Sequence, residues 1–228
     1  MAEEKLSTVQ ACVFDAYGTL FDVNAATAGC RDALGDAADA LAALWRTKQL
    51  EYTWLRSLRG DYVDFWHVTG QSLDYAMTAL GFSDHGLRAR LMELYYALDA
   101  YPEVPEVLKA VKDSGRRTAI LSNGSPSMLI AAVRRAGIER LLNETISVDA
   151  VKIYKPHPST YQLAVDRLRI APEKTCFLSA NGWDVAGAAN FGFRVVWINR
   201  NAAQPECLPG QPEHEIRSLS ELPALLNR

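Results

Sequence analysis

The sequence contains few of the side chains that bind transition metals, and they are spaced far apart. The 228 residues include four cysteines and four histidines, and no cysteine pair has the CxxC spacing of a metal or redox site. Cys12 and Cys176 fall in apolar runs, where a free cysteine packs as a small hydrophobic residue. The sequence therefore predicts no metal site and no disulfide framework.

An excess of basic residues and a long apolar run are also missing. The 24 Lys and Arg residues stand against 27 Asp and Glu, a formal net charge of −3, whereas nucleic-acid binding requires a basic surface. No segment approaches the length of a membrane span, and residues 1–5 lack the apolar core of a signal peptide. We therefore expect a cytoplasmic protein with no nucleic-acid partner and no membrane partner.

A short apolar run near the N-terminus ends in a carboxylate. Residues 11–14 predict a buried strand, Asp15 follows directly, and Gly18 and Thr19 indicate a tight turn. Open α/β sheets bind their ligands at the carboxyl ends of their strands. Asp15 alone is equally compatible with capping a turn, so its function depends on what the other strands bring to the same edge.

Helix and strand patterns alternate in the second half of the chain. Helices are predicted over residues 105–114, 126–136, 159–168 and 220–226. A further helix is predicted after the strand over 175–178 and ends at about residue 191. Strands are predicted over 118–121, 145–148, 175–178 and 194–198. This order predicts an α/β fold with a doubly wound, Rossmann-like parallel sheet.

Residues 24–98 instead show helical periodicity and no convincing strand. Apolar residues recur on one helical face in three places: Leu41, Leu44 and Trp45; Leu73, Met77 and Leu80; and Leu87, Leu91, Leu94 and Leu98. Because this stretch follows the turn after Asp15, we expect an inserted helical cap domain above the carboxyl edge of the sheet. The predicted division is a core of residues 1–23 and 99–228 and a cap of residues 24–98.

Polar side chains follow several of the predicted strands. They are Asp15, Tyr17 and Thr19, then Ser122 and Asn123, then Ser179, Asn181 and Asp184, with Lys155 in a separate loop. Each group alone is typical of a turn or a helix cap. The convergence of all of them, with one cation among carboxylates, predicts an active site with a carboxylate nucleophile.

Four segments carry a resemblance to a known family. They are residues 15–20 (DAYGTL), 121–125 (LSNGS), 152–156 (KIYKP) and 179–184 (SANGWD). These segments are similar to the motifs of the haloacid dehalogenase superfamily, and most similar to those of the L-2-haloacid dehalogenases. The resemblance covers essentially the whole chain and implies a doubly wound core with a helical cap, a small haloacid substrate and no cofactor. Members are often homodimers, so it also allows a homodimer.

Two positions separate this chain from the phosphatases that make up most of the superfamily. Tyr17 replaces the second acid of Asp-x-Asp-x-Thr, and a phenol with a pKa of ~10 is a poor proton donor to a leaving alkoxide. Ala180 replaces an acid that helps to bind Mg²⁺. Halide leaves without a proton or a metal, so both differences favour carbon–halogen cleavage. A metal-dependent phosphatase is the alternative enzyme. An inactive binding relative is disfavoured because Asp15, Lys155 and Asp184 are retained.

The resemblance implies roles for residues in the first half of a dehalogenation. Asp15 attacks the halogen-bearing carbon, and Lys155 keeps it ionised because a nearby cation favours a charged carboxylate. Arg46 of the cap binds the departing halide, with Asn123 as its partner, since a guanidinium is a weakly hydrated cation. The substrate carboxylate is held by backbone amides after Asp15, with Ala16 as the first residue, and by Ser122 and Asn123.

Further residues are implied for the second half, in which water opens an ester on Asp15. Water is placed by Asp184, Asn181 and Ser179, and the developing oxyanion is stabilised by Thr19 and Lys155. Tyr161 matches a family position near the site. The apolar walls are expected from Tyr17, Leu50, Phe65 and Trp183. Closure of the cap is expected to exclude water until the ester forms.

Overall fold

Parallel strands form the sheet at the centre of the protein. The computed structural model describes residues 6–227 and contains β1 (Ala11–Phe14), β2 (Arg117–Ser122), β3 (Glu144–Ser147), β4 (Thr175–Ser179), β5 (Arg194–Ile198) and β6 (His214–Ile216). The strands pair in the order β3–β2–β1–β4–β5–β6. The direction of winding reverses beside β1, as in doubly wound folds that bind ligands at that point. The predicted fold class is confirmed.

The register of the sheet brings the ends of three strands together. β1 is buried along its whole length and lies between β2 and β4, with Phe14 opposite Leu178. Asp15, the next residue, is therefore level with Ser179 at the end of β4. Ser122 ends β2 on the other side. Because all the strands run the same way, these residues share one edge of the sheet.

A helical insertion separates β1 from the rest of the core. It contains α1 (Ala25–Ala28), α2 (Arg31–Leu34), α3 (Ala38–Arg59), α4 (Phe65–Ala79) and α5 (His85–Tyr96). Gly60 ends α3 with a φ of 71°, and Asp64 caps α4 by accepting a hydrogen bond from the backbone amide of His67. The predicted apolar faces are buried at Leu41, Leu73 and Leu91, but Leu80 follows the end of α4 and is exposed. The cap boundaries at residues 23/24 and 98/99 stay a prediction.

The remaining helices pack around the sheet. They are α6 (Val104–Asp113), α7 (Pro126–Arg135), α8 (Pro158–Leu168), α9 (Gly182–Phe191) and α10 (Leu222–Leu226). Pro105, Pro126 and Pro158 lie in first turns, where a backbone amide has no partner to lose. Gly192 ends α9 with a φ of 109°. These signals explain why most predicted elements begin and end within one residue of the observed ones.

The C-terminal segment differs from the prediction in two places. The sequence pattern did not indicate β6, a three-residue edge strand that pairs with β5 through Val196 and His214. The predicted helix over 220–226 is a 3-10 turn, Leu219–Glu221, followed by α10. Ser218 and Glu221 cap this turn reciprocally.

The described residues also bear on the membrane and cysteine predictions. No helix within residues 6–227 has the length and apolar character that crossing a membrane requires. Cys12, Cys30 and Cys176 are buried, Cys207 is exposed, and all four are free.

Candidate active site

A buried lysine lies between two carboxylates at the carboxyl edge of the sheet. Asp15 follows β1, Asp184 lies in the first turn of α9, and Lys155 belongs to the loop before α8. Lys155 Nζ is 3.1 Å from Asp15 Oδ1 and 3.0 Å from Asp184 Oδ2. The side chains of Lys155 and Asp184 are fully buried, and that of Asp15 is 9% exposed. Lys155 therefore contributes one positive charge that compensates part of the charge of the two carboxylates away from bulk water.

Burial and charge act in opposite directions on this lysine. Burial alone would lower the pKa of Lys155, but the carboxylates of Asp15 and Asp184 outweigh burial and raise the pKa above the ordinary lysine value. Burial raises the pKa of Asp184, while Lys155 and the Tyr161 hydroxyl oppose that increase. Lys155 is therefore a permanent cation at neutral pH.

The second oxygen of Asp15 accepts two more hydrogen bonds. Thr19 Oγ1 donates to Asp15 Oδ2 over 3.2 Å, and Asn181 Nδ2 donates to the same atom over 2.8 Å. The Thr19 hydroxyl accepts a hydrogen bond of 2.8 Å from the backbone amide of Ala180, which directs its proton towards Asp15. With donors on both oxygens, the Asp15 carboxylate is held in one orientation.

Tyr161 is buried beneath Asp184. Its hydroxyl donates to Asp184 Oδ1 over 2.8 Å, and its ring contacts Phe177 and Phe193 edge-on. Gly187 makes room for this hydroxyl, because a Cβ at that position would lie 2.6 Å from it. Tyr161 thus orients a carboxylate that also contacts Lys155. The structure thus places Tyr161 in contact with Asp184, and its role in the reaction stays a prediction.

Ser122, Asn123 and Ser179 shape the loops at the sheet edge. Asn123 Oδ1 accepts a hydrogen bond of 3.0 Å from the backbone amide of Lys155, so it positions the loop that carries the lysine. Ser122 Oγ accepts from the amide of Gly124 over 3.0 Å, and Ser179 Oγ accepts from the amide of Asn181 over 3.1 Å. Each of these side chains therefore makes a turn-stabilising contact, which is the alternative to a catalytic role that the sequence analysis kept.

Arg46 reaches from the cap to the site. It lies on α3, and its Nη2 donates to Asn181 Oδ1 over 3.2 Å while its Nη1 donates to Gln49 Oε1 over 2.7 Å. The structure brings Arg46 to Asn181 and shows no hydrogen bond between Arg46 and Asn123 within residues 6–227. Asn181 therefore contacts both Arg46, through its oxygen, and Asp15, through its nitrogen.

Three cap residues around Arg46 were missed by the sequence reasoning. They are Gln49, Thr69 and Tyr95, from α3, α4 and α5 respectively. Tyr95 OH donates to Gln49 Oε1 over 3.1 Å, and Gln49 Nε2 donates to Thr69 Oγ1 over 2.8 Å. The i, i+3 spacing of Arg46 and Gln49 on one helix was the available signal, since such side chains are neighbours.

Aromatic rings pack together close to Asp15, beginning with Tyr17 two residues further along the chain. Tyr17 stacks on Tyr95 with ring centroids 5.8 Å apart, and Phe65 lies 5.5 Å from Tyr17. The Tyr17 hydroxyl is buried and has no hydrogen-bond partner within the described residues. Trp183 packs edge-on against Trp54, with centroids 5.5 Å apart.

Two other residues predicted to bind substrate, Ala16 and Leu50, have no side-chain hydrogen bond to the described residues around Asp15. Ala16 is fully buried, and its carbonyl accepts hydrogen bonds from the turn that contains Thr19. Leu50 is half-buried on α3, one turn beyond Arg46. The apolar wall predicted from Tyr17, Leu50, Phe65 and Trp183 stays a prediction.

Hydrogen bonds join the cap to the loop that carries Lys155. The neighbouring residue, Tyr154, donates its backbone amide to Ser57 Oγ over 3.1 Å and its hydroxyl to the carbonyl of Val63 over 2.7 Å. Tyr62 OH donates to Asp149 Oδ1 over 2.9 Å. The cap is therefore attached to the core close to the buried lysine.

A model of the haloacid dehalogenase-like hydrolase family matches residues 9–192, from β1 to the end of α9. The chain belongs to this family. The matched region contains Asp15, Lys155 and Asp184, and the sequence-based resemblance is confirmed. Among residues 6–227, no group of three or more His, Cys, Asp or Glu side chains is arranged to hold a metal ion.

Similar proteins within the family are dehalogenases. The chain is 46% identical to (S)-2-haloacid dehalogenase 1 of Pseudomonas sp. strain CBS-3, over 98% of this chain and 99% of that protein. A crystal structure of a dehalogenase superposes with a TM-score of 0.95 at 46% identity, covering 97% of this chain and 98% of the other. The L-2-haloacid dehalogenase of Xanthobacter autotrophicus with chloropropionic acid covalently bound gives a TM-score of 0.89 at 36% identity, covering 96% and 98%.

Proposed function

We propose that this haloacid dehalogenase-like hydrolase converts short L-2-haloalkanoic acids to D-2-hydroxyacids and halide through an ester on Asp15. The observation that carries the proposal is the bridge formed by Asn181, which contacts an oriented carboxylate, Asp15, on one side and a cation, Arg46, on the other. A nucleophile and a receptor for a departing anion thus lie on either side of one amide. The names of the similar proteins support the same reaction.

In the first step, a carboxylate oxygen of Asp15 attacks C2 of the substrate from the side opposite the halogen. The new C–O bond forms as the C–X bond breaks, and the halide leaves with the bonding electrons. No proton is transferred. Arg46 compensates the negative charge that develops on the halogen, and attack from the opposite side inverts C2, so an L-haloacid gives a D-hydroxyacid.

In the second step, water attacks the acyl carbon of the Asp15 ester. Asp184 accepts a proton from this water, and the oxyanion that forms is stabilised by the groups that now contact the Asp15 carboxylate, namely Lys155, Thr19 and Asn181. Cleavage of the acyl C–O bond releases the hydroxyacid, which takes up a proton as it leaves. The products are the hydroxyacid, halide and one proton, and Asp15 is regenerated.

The remaining site residues are assigned to substrate binding. Ser122 Oγ accepts a hydrogen bond from Gly124, so its own proton is available to donate to the substrate carboxylate. We assign the same role to the backbone amides after Asp15. Tyr17 and Phe65 contact the alkyl group and, with the cap in place, keep water away from the ester until the halide has left.

Halide release from L-2-chloropropionate tests the reaction, and isotope labelling tests its mechanism. In a single turnover with enzyme in excess in ¹⁸O-water, the hydroxyacid should contain no ¹⁸O, because its new oxygen comes from Asp15. The label should appear in Asp15, and the product should be the D-enantiomer. Labelled product with unlabelled Asp15 would replace the ester by direct attack of water. Phosphate release from phosphate esters that requires Mg²⁺, without halide release, would overturn the proposal.

A further inference from the structure

Gln49 is a buried amide beside Arg46 with no assigned role in the reaction. It is 1% exposed, although it lies on a cap helix. Its oxygen accepts hydrogen bonds from Arg46 Nη1 over 2.7 Å and from Tyr95 OH over 3.1 Å, and its nitrogen donates to Thr69 Oγ1 over 2.8 Å. Gln49 therefore joins the cation of α3 to both other long cap helices.

The hydrogen-bond network determines which end of the Gln49 amide faces Arg46. Thr69 Oγ1 donates its own proton to the carbonyl of Phe65 over 2.7 Å, so towards Gln49 it can only accept. That contact requires the amide nitrogen, and the oxygen must face Arg46 and Tyr95. A reversed amide would put N–H groups against a guanidinium and a hydroxyl donor. The amide is therefore locked as an acceptor for Arg46.

The partners of Arg46 differ from those of two other arginines in this chain, which pair with carboxylates. Arg200 pairs with the carboxylate of Glu103 at 2.6 Å, and Arg194 pairs with that of Glu213 at 2.6 Å. Arg46 is half-buried, yet within residues 6–227 it pairs with no carboxylate and contacts the amide oxygens of Gln49 and Asn181. An amide oxygen orients a guanidinium without cancelling its charge.

We infer that Gln49 is a positioning residue for Arg46, which holds the guanidinium in place as a neutral acceptor and leaves its full charge for the departing halide. A carboxylate at position 49 would hold the guanidinium equally well and would compete with the halide for its charge. The inference rests on the proposed function, because the proposed reaction supplies the halide that Arg46 binds.

Two substitutions separate positioning from charge. Gln49→Met removes the hydrogen bond to a charged donor, and we expect kcat to fall ~10-fold or more. Gln49→Glu keeps an acceptor for Arg46, and we expect the inhibition constant for added bromide to rise ~10-fold or more because the receptor is neutralised. Thr53→Val, which removes a buried hydroxyl bonded to the carbonyl of Leu50 on the same helix, is the matched control and should leave both quantities unchanged.

The same substitutions in an Arg46→Ala background test whether Gln49 acts through Arg46. There, neither change at position 49 should alter kcat or bromide inhibition further, whereas a merely structural role would give the same loss in both backgrounds. Thermal unfolding of each variant shows that the comparison is between folded proteins.

The outcomes that overturn the inference are distinct from those that overturn the proposed function. An unchanged inhibition constant for bromide in Gln49→Glu would overturn the role of Gln49 alone. A fall in kcat in Gln49→Met that is just as large in the Arg46→Ala background would do the same. A native enzyme that releases no halide from L-2-chloropropionate, or Arg46→Ala with unchanged turnover, would overturn the halide chemistry and the role of Gln49 with it.

Discussion

Replacing Lys155 by methionine removes a buried charge while keeping most of the side-chain volume. Lys155 Nζ is the hydrogen-bonded cation between Asp15 and Asp184, at 3.1 and 3.0 Å. In the Lys155→Met variant, both carboxylates remain buried with no ammonium between them. We expect a large loss of stability at neutral pH in addition to the loss of activity.

The size of the loss follows from the distances and the burial. Two unit charges at about 3 Å attract by about 5 kcal/mol at an effective dielectric constant of ~20. Desolvation of the ammonium offsets much of this attraction when the native pair forms. In the variant, the two carboxylates are still desolvated but are no longer attracted by the Lys155 ammonium. Removing one partner of a buried ion pair typically costs ~3–5 kcal/mol of stability.

The pH dependence of this loss has a definite sign. Without Lys155, burial and mutual repulsion raise the pKa of the carboxyl pair in the folded variant, so the folded state binds a proton more readily than the unfolded chain. The variant therefore gains stability as the pH falls from ~7 to ~4. In the native protein the raised pKa of Lys155 keeps its contribution fully present below the ordinary lysine value of ~10.4, and it is lost only at higher pH.

Urea unfolding at pH 7.5 and at pH 5.0 measures both effects. The difference between native protein and Lys155→Met should be ~3–5 kcal/mol at pH 7.5 and clearly smaller at pH 5.0. Lys109→Met is the control, because Lys109 pairs with Asp113 on an exposed helix face and its side chain is 67% exposed. A loss below ~1 kcal/mol, or one that is the same at both pH values, would refute the reasoning.

Three further outcomes are expected. Halide release should continue in excess EDTA after dialysis, because Lys155 supplies the positive charge between the carboxylates; a loss that Mg²⁺ restores would contradict this. Arg46→Ala should lower kcat/KM by ~30-fold or more, equivalent to ~2 kcal/mol, with little change in melting temperature; near-native kcat/KM in the folded variant would exclude a role in turnover. Tyr161→Phe removes a hydrogen-bond donor that lowers the pKa of Asp184. The acid side of the pH profile of kcat should therefore move to higher pH. An unchanged profile would count against Asp184 as the base.

The position of Asp15 at the sheet edge was predictable because the cause is local. An apolar run of four residues predicts a buried strand, and a parallel sheet places the residue after such a strand at the ligand-binding edge. The same reasoning located Ser122 and Ser179. Asp184 follows the strand predicted over 175–178, so the order of the elements indicated its position as well. Lys155 lies in a loop that follows no predicted strand directly, and the family resemblance supplied its contact with Asp15.

The contacts between cap and core were not predictable in the same way. Arg46 and Asn123 are predicted to bind the halide together, and this stays a prediction. The hydrogen-bond partners of Arg46 in the structure are Asn181 and Gln49, while Asn123 accepts from the backbone of Lys155. Which amide meets the guanidinium depends on the angle at which α3 crosses the sheet edge. That angle is set by packing among three helices and has no periodic signal.

The edge strand β6 shows a second limit. Its three residues are too few for an alternating pattern, and it exists because β5 offers an unpaired edge to the chain from His214 onwards. Strand formation there is a property of the neighbour, so the segment itself does not encode it.

The attachment of Tyr154 to the cap has a consequence for how fast substrate enters. Tyr154 is the residue before Lys155 and donates to Ser57 and to Val63. Moving the cap away from the sheet would break both hydrogen bonds, at a net cost of about 1–3 kcal/mol, so we expect an open form to be a minor population. A substrate that enters only through the open form therefore associates at a rate reduced in proportion to that population. Tyr154→Phe removes the hydrogen bond to Val63, so we expect substrate to enter faster. The same change holds the loop that carries Lys155 less firmly.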